Sequence, residues 1–434
     1  MRIMTLAVAG ALALAAWPSP AQEAAAAPQH MSTLQALSLA DVWQLAEDAN
    51  PDLKAKQADL ASAEGTRTDA SALLYNNPEI SMDQTRRDVP QDGSPVEERR
   101  HEWSTSLQQT FEIAGQRGFR RDAAEAALAA LKEEIAYARS RLRSEVAQQY
   151  YRVLALQQRT ELEEQALGLF DRTAKAVQKR RVAGEDTKLD ANVAEVEAER
   201  ARNQLAVASE ELLDARAELA ARLQMVPDQL PQAVGDLRPT TGLPYDLRSL
   251  LQQAASQPRL RALSAREDSA RAKLNLETAS RYPDVTVGIG VGREGSTSAR
   301  ERLTTVRVSV PLPLFNRNAT GIGQASSALT QAEISRRAGL RDTQAQVQSL
   351  WLKLESLRAR VDRLQDRVMP ALLDNQQLSV KSQRAGQIGL LELIVVNRQA
   401  LDARRDLIEA LTDYQTTRLA LELTAGWPGT GAIP

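Results

Sequence analysis

Val285-Thr286-Val287-Gly288-Ile289-Gly290-Val291-Gly292 sets a branched apolar residue at every second position, with a small or polar one between. Successive side chains on a strand point to opposite faces, so this segment predicts a strand with one apolar and one polar side. Val306, Val308 and Val310 repeat the alternation against Thr305, Arg307 and Ser309. The polar connection from Arg293 to Glu301 reads as a loop, which makes 284–312 a β-hairpin. A second hairpin over 79–110 is expected from Glu79 to Arg87, a turn-rich Asp88 to Pro95, and Glu98 to Thr110. Its alternation is weak. Its place in an internal repeat carries the assignment.

The repeat shows in anchors that recur in the same order. Asn50-Pro51-Asp52-Leu53 corresponds to Gln257-Pro258-Arg259-Leu260. Phe111-Glu112-Ile113-Ala114-Gly115-Gln116-Arg117 stands 200 residues before Pro311-Leu312-Pro313-Leu314-Phe315-Asn316-Arg317. Arg181-Val182-Ala183-Gly184-Glu185 stands 202 before Gln383-Arg384-Ala385-Gly386-Gln387. The chain therefore reads as a tandem duplication, each half running helix–strand–strand–helix–turn–helix. Expected boundaries are 22–226 and 245–428, with helical tips near Gly184 and Gly386. A Pro-rich linker at 227–244 separates the halves, and 429–434 is a tail.

The helices carry heptads. Val347, Leu350, Leu354, Leu357, Val361, Leu364 and Val368 step by three and four. Leu393, Val396, Ala400, Ala403, Leu407, Ala410, Tyr414, Thr417 and Leu421 continue the pattern beyond Gly386. Ile135, Ala138, Leu142, Val146, Gln149, Val153 and Leu156 follow it with one polar break. A 3.5-residue repeat predicts left-handed coiled-coil packing, and the stretch 118–182 would reach roughly 95 Å at 1.5 Å per residue.

Composition closes off other classes. The 434 residues hold 54 Lys+Arg, 56 Asp+Glu, no Cys, and only two histidines, His30 and His101. Disulfides, thiolate metal sites and a lipid-modified N-terminal Cys are excluded, and a His-based metal centre is not expected. The near-neutral balance makes no case for nucleic acid. Gly115-Gln116-Arg117-Gly118 lacks the Lys-Ser/Thr of a phosphate loop, and His101-Glu102 lacks a second histidine at helical spacing. No cofactor and no enzyme activity are expected. Residues 1–21 read as a secretory signal: Arg2, the apolar run Ile3 to Ala16, then Ser19-Pro20-Ala21.

The hairpins admit two readings, a small sheet in a soluble periplasmic coiled-coil adaptor or part of a transmembrane β-barrel. Tyr75, Phe111, Tyr282 and Phe315 fall at the strand ends nearest the helices, where an interfacial aromatic girdle would lie. Four strands cannot close, and open edges do not survive in lipid, so the membrane reading demands at least two chains and is comfortable with three. About eight strands would be plugged by side chains, whereas about twelve leave a conduit.

The exported thiol-free chain, the duplication, the phrase Gln109-Thr110-Phe111-Glu112-Ile113-Ala114-Gly115-Gln116-Arg117-Gly118 and the paired Ala-Gly turns resemble the TolC-type outer membrane efflux family. The phrase is most similar to the CzcC-like (cobalt–zinc–cadmium) branch. The resemblance implies a mainly α fold with a β-barrel part, namely a homotrimer with a 12-stranded barrel in the outer membrane and an α-helical barrel crossing the periplasm. It also implies a periplasmic adaptor and an inner-membrane RND pump as partners, the adaptor meeting tips at Ala183, Gly184, Glu185 and Ala385, Gly386, Gln387. The acidic pore position past the second tip matches Glu392, and a second one is replaced by Val395. A ring of Glu392 side chains would favour cations. The Tyr and Arg that latch the second tip in relatives are replaced by Gln383 and Ile388, and the first-copy counterpart of Glu392, Asp190, reads as a solvated position. A multidrug or type I protein secretion duct on the same fold is the alternative cargo reading. Arg86, Arg87, Arg99 and Arg100 lie near the outer loop, where a solvated end or contact with anionic lipopolysaccharide both fit.

Overall fold

A computed structural model describes residues 35–89, 98–226, 230–238, 242–295 and 300–427. The expected signal segment, part of the linker and the tail lie outside the described residues. Each half opens with two helices divided at a proline: α1 (Leu39–Ala49) and α2 (Pro51–Ser71), then, in the second half, α5 (Leu247–Ala254) and α6 (Pro258–Ala279). Proline at the first helical position costs no hydrogen bond, because that N–H has no intrahelical acceptor. The Asn50 side chain accepts from the Leu53 N–H at 2.9 Å and caps α2. Strands β2 (Glu79–Val89) and β3 (Glu98–Phe111) follow α2, and β5 (Val285–Gly295) and β6 (Arg300–Ser309) follow α6. The strands run farther than the alternation indicated, and Phe111 closes β3 opposite Val285 instead of lying beyond it.

The long helix of the first half, α3 (Gln116–Val182), has 67 residues and therefore runs about 100 Å. It turns into α4 (Lys188–Arg222). In the second half the equivalent helix is broken: α7 (Ala319–Arg363), one π-helical turn at Leu364–Val368, and α8 (Met369–Arg384), followed by α9 (Leu390–Ala425). Pro370 has no N–H to donate back toward Asp366, and the ladder shifts around it. The heptad through Leu364 and Val368 is thus interrupted. Val347, Leu354, Leu357 and Val361 are buried, but no residue of the π turn is. Both long helices start from a left-handed residue, Gly115 at φ 77° and Asn318 at φ 55°. The structural match for Gly115 is Asn318, three residues later than the phrase alignment placed it, because the Pro-Leu-Pro-Leu-Phe segment is spent on the strand-to-helix crossing.

The core sits where the linker meets the long helices. Val42, Val146, Leu219, Leu250, Leu354, Tyr414 and Leu421 are buried in one cluster. Strand β1 (Ala36–Leu37) pairs in parallel with β4 (Gln232–Ala233) of the linker, a contact no sequence pattern announced. Tyr245 stacks edge-on against Trp427 and Trp351, and its hydroxyl donates to Glu422 Oε1 at 2.9 Å. Burial raises the pKa of Glu422 above the usual carboxylate range and pushes the Tyr245 hydroxyl up as well.

Candidate functional site

The two hairpins form one sheet, in the order β2-β3-β5-β6, all antiparallel. The register decides what each face carries. Ile80 lies beside Leu107, Leu107 beside Ile289, and Ile289 beside Val306. With Met82, Phe111, Val287, Val291 and Val308 these side chains share one face, and Ile80, Met82, Ile289, Val306 and Val308 are more than half exposed. The opposite face is a polar ladder. Ser81 and Ser106 share a hydrogen bond at 2.7 Å, Gln108 donates to Glu79 at 2.8 Å, and Thr110 meets Thr286 at 2.9 Å. Arg87 pairs with Glu102 at 3.3 Å on the same face. An apolar face this exposed on a single chain needs a cover, and lipid is one.

Of the four expected girdle aromatics, Tyr75, Tyr282 and Phe315 stand in the connections between strands and helices, and Phe111 ends β3. Phe315 is fully exposed, Tyr282 and Tyr75 are more than half exposed, and Phe111 is 40% exposed. Tyr75 is tied to the protein, since the Arg120 guanidinium sits 3.6 Å from its ring centre and pairs with Glu112. Leu73, Leu74, Ile113, Leu312 and Leu314 lie exposed in the same connections. Sequence reasoning missed them, though Pro311 to Phe315 displays Leu312 and Leu314 in one run.

The two helical tips are built alike. Gly184 at φ 83° and Gly386 at φ 73° end their helices in the left-handed region that glycine tolerates. The Glu185 N–H returns to the Arg180 carbonyl and the Gln387 N–H to the Ser382 carbonyl, both at 2.9 Å, which satisfies carbonyls the helix ends leave open. Ala183, Gly184, Glu185, Ala385, Gly386 and Gln387 are all exposed. Glu392 has a structural duty: its Oε2 accepts from the Gly389 N–H at 2.9 Å at the start of α9. Asp190 does the same for Thr187 at the start of α4, and the hydrogen bond from the Thr187 hydroxyl lowers its pKa. Asp190 is therefore a helix cap and not simply a solvated position.

Beyond the tips the halves are joined by a seam that sequence reasoning did not find. Leu390, Ile394 and Leu401 of α9 pack with Ala191, Ala194, Ala198 and Ala201 of α4. Arg398 forks onto Glu197, with Nε 2.7 Å from Oε2 and the second arm on Oε1. Arg405 forks onto Glu163 at 2.7 and 2.6 Å and also reaches Gln204 and Asp402. Glu163 is 1% exposed. At the tip offset, the counterparts of Glu163, Glu197, Arg398 and Arg405 are Gln365, Gln399, Val196 and Asn203. No charge is duplicated. The acids belong to one half and the arginines to the other.

A duplicated helical hairpin beside an amphipathic four-stranded sheet is an arrangement found in known proteins. Residues 42–223 and 250–426 match the outer membrane efflux protein family. The chain belongs to that family. It is 28% identical to the cobalt-zinc-cadmium resistance protein CzcC of Cupriavidus metallidurans over 384 residues, 87% of this chain and 85% of that protein. It is 26% identical to the pyoverdine export outer membrane protein OpmQ of Pseudomonas putida over 74% of this chain and 70% of that one. Among solved structures, CusC superposes with a TM-score of 0.72 at 18% identity, covering 94% of this chain and 99% of its own. This efflux protein is an outer membrane channel with the TolC-like fold, mainly α with a β-barrel part. Family and fold are those of channels, not of enzymes, and the soluble-adaptor alternative is set aside. Among the described residues of this channel protein no helix is long and apolar enough to cross a membrane.

Proposed function

We propose that three copies of this channel close a twelve-stranded barrel and a periplasmic helical tunnel, and that the duct exports heavy-metal cations delivered by an RND pump through a periplasmic adaptor. The observation that carries the assembly is the sheet itself. Its edge strands β2 and β6 run in opposite directions, and the outer edge of each is unpaired among the described residues, so β6 of one copy suits β2 of the next in antiparallel pairing. Three such sheets make twelve strands, a size that leaves an aqueous path. The adaptor would meet the exposed tips around Gly184 and Gly386. The similarity to CzcC supports metal cargo, and the cargo chemistry would reside in the pump. Similarity to OpmQ supports a second reading, export of an organic solute.

A deletion strain separates the two. Increased sensitivity to zinc, cobalt or cadmium, restored by the plasmid-borne chain, is the expected result. Sensitivity to drugs alone would reject the metal reading.

Glu392 would line the narrow end of the closed duct. Because Asp190 caps α4 as Glu392 caps α9, the two alanine variants lose the same kind of cap, about 1 kcal/mol of local stability each. Planar-bilayer recordings should show reduced cation preference for Glu392→Ala and wild-type preference for Asp190→Ala. Equal selectivity in both variants would leave Glu392 a cap and nothing more.

A further inference from the structure

We infer that the outer end of the apolar sheet face binds the phosphate groups of lipid A in the outer leaflet. This rests on the membrane reading above. By register, Gln84, Trp103, Arg293 and Arg302 form one row across the four strands. The next row on the same face holds Arg86 beside His101, and Arg300 beside Gly295. Rows on one face are about 7 Å apart. From Phe111 to Trp103 the strand spans about 26 Å at 3.3 Å per residue, or about 20 Å along the membrane normal at the usual ~40° tilt, and with the aromatic connections below Phe111 this fills the ~25 Å apolar band of an outer-membrane barrel. The cationic rows therefore begin where the hydrocarbon ends, with Trp103, 43% exposed, at the boundary.

Charge is sorted between the two faces. Arg293 and Arg302 face one way, while their chain neighbours Glu294 and Glu301 face the other. Arg87, expected with Arg86 to share one outer cluster, turns to the polar face and pairs with Glu102. Arg100 turns the same way, paired with Arg87 across the strands. On the apolar face the acid at this end is Asp88, 3.7 Å from Arg86. Arg293, Arg300 and Arg302 have no acidic partner among the described residues, and all three are exposed. Guanidinium groups with free donors, held at headgroup depth on the side of the sheet that meets lipid, suit phosphate better than water. A solvated loop end would need no such sorting.

Detergent-extracted full-length protein is titrated with lipopolysaccharide, with dephosphorylated lipopolysaccharide and with phosphatidylglycerol, bound lipid being read by native mass spectrometry. Each arginine should be worth about fivefold in affinity, so Arg86→Gln/Arg293→Gln/Arg302→Gln should bind lipopolysaccharide on the order of a hundredfold more weakly. Removing the phosphates from the lipid should cost a comparable factor. Arg307→Gln, on the polar face opposite Gly288, should bind as wild type. The inference is overturned if the triple variant binds like wild type, if Arg307→Gln loses as much, or if phosphatidylglycerol competes equally. Bilayer conductance is recorded in parallel. Wild type that forms no channel sinks the membrane reading, whereas conducting protein without phosphate-dependent binding sinks this inference alone.

Discussion

Arg405→Ala strips the guanidinium from Glu163, a carboxylate 1% exposed, and the expected result is a loss of about 3–5 kcal/mol where α9 meets the first helical hairpin. Removing one member of a buried pair costs more than the pair contributes, because the surviving charge keeps its desolvation penalty and loses its compensation. The effect should be local. Hydrogen exchange along α9 near Arg398 and Arg405 should accelerate by at least about a hundredfold, while the segment around Tyr414, fixed in the main core, changes little. Replacing both partners, as Glu163→Met with Arg405→Leu, should return exchange close to wild type. Unaltered exchange in the single variant would mean that water reaches Glu163 and that the bridge contributes little.

The second large effect concerns the sheet. Ile289→Arg puts a cation in the middle of the apolar face, where burial in hydrocarbon costs about 2–4 kcal/mol for each copy. The variant should be depleted from outer-membrane fractions and should fail to form the proposed trimer. Thr305→Arg, opposite Gly290 on the polar face of the same sheet, should insert and assemble normally. Normal assembly of Ile289→Arg would remove lipid from the apolar face.

Much of this was legible in the chain. Duplication, helix order and both tips follow from anchors repeated in sequence, and the second hairpin from strict alternation. The heptad of α9 is buried along its length at Leu393, Ala400, Ala403, Ala410, Tyr414 and Leu421. Non-local pairing was not legible. Nothing in sequence says that Phe111 lies beside Val285, so the two hairpins could not be read as one sheet, and the sorting of arginines between its faces depends on that register. The seam was hidden for the same reason, its partners being 201 and 242 residues apart. The π turn was misread because Val368 has the right hydrophobicity and spacing, while Pro370 two residues later upsets the ladder.

One property of the sheet order reaches beyond the single chain. Where β3 meets β5, the last strand of one half lies against the first strand of the other. A closing contact between copies, β6 against β2, would join the same two kinds of strand with the halves exchanged. In the proposed trimer the chain would thus carry inside itself a rehearsal of the contact it makes with its neighbours: folding β5 onto β3 and docking the next copy would be nearly one recognition event, performed first within a molecule and then between molecules. Quasi-equivalence of this sort would let the proposed threefold ring inherit its geometry from a twofold duplication.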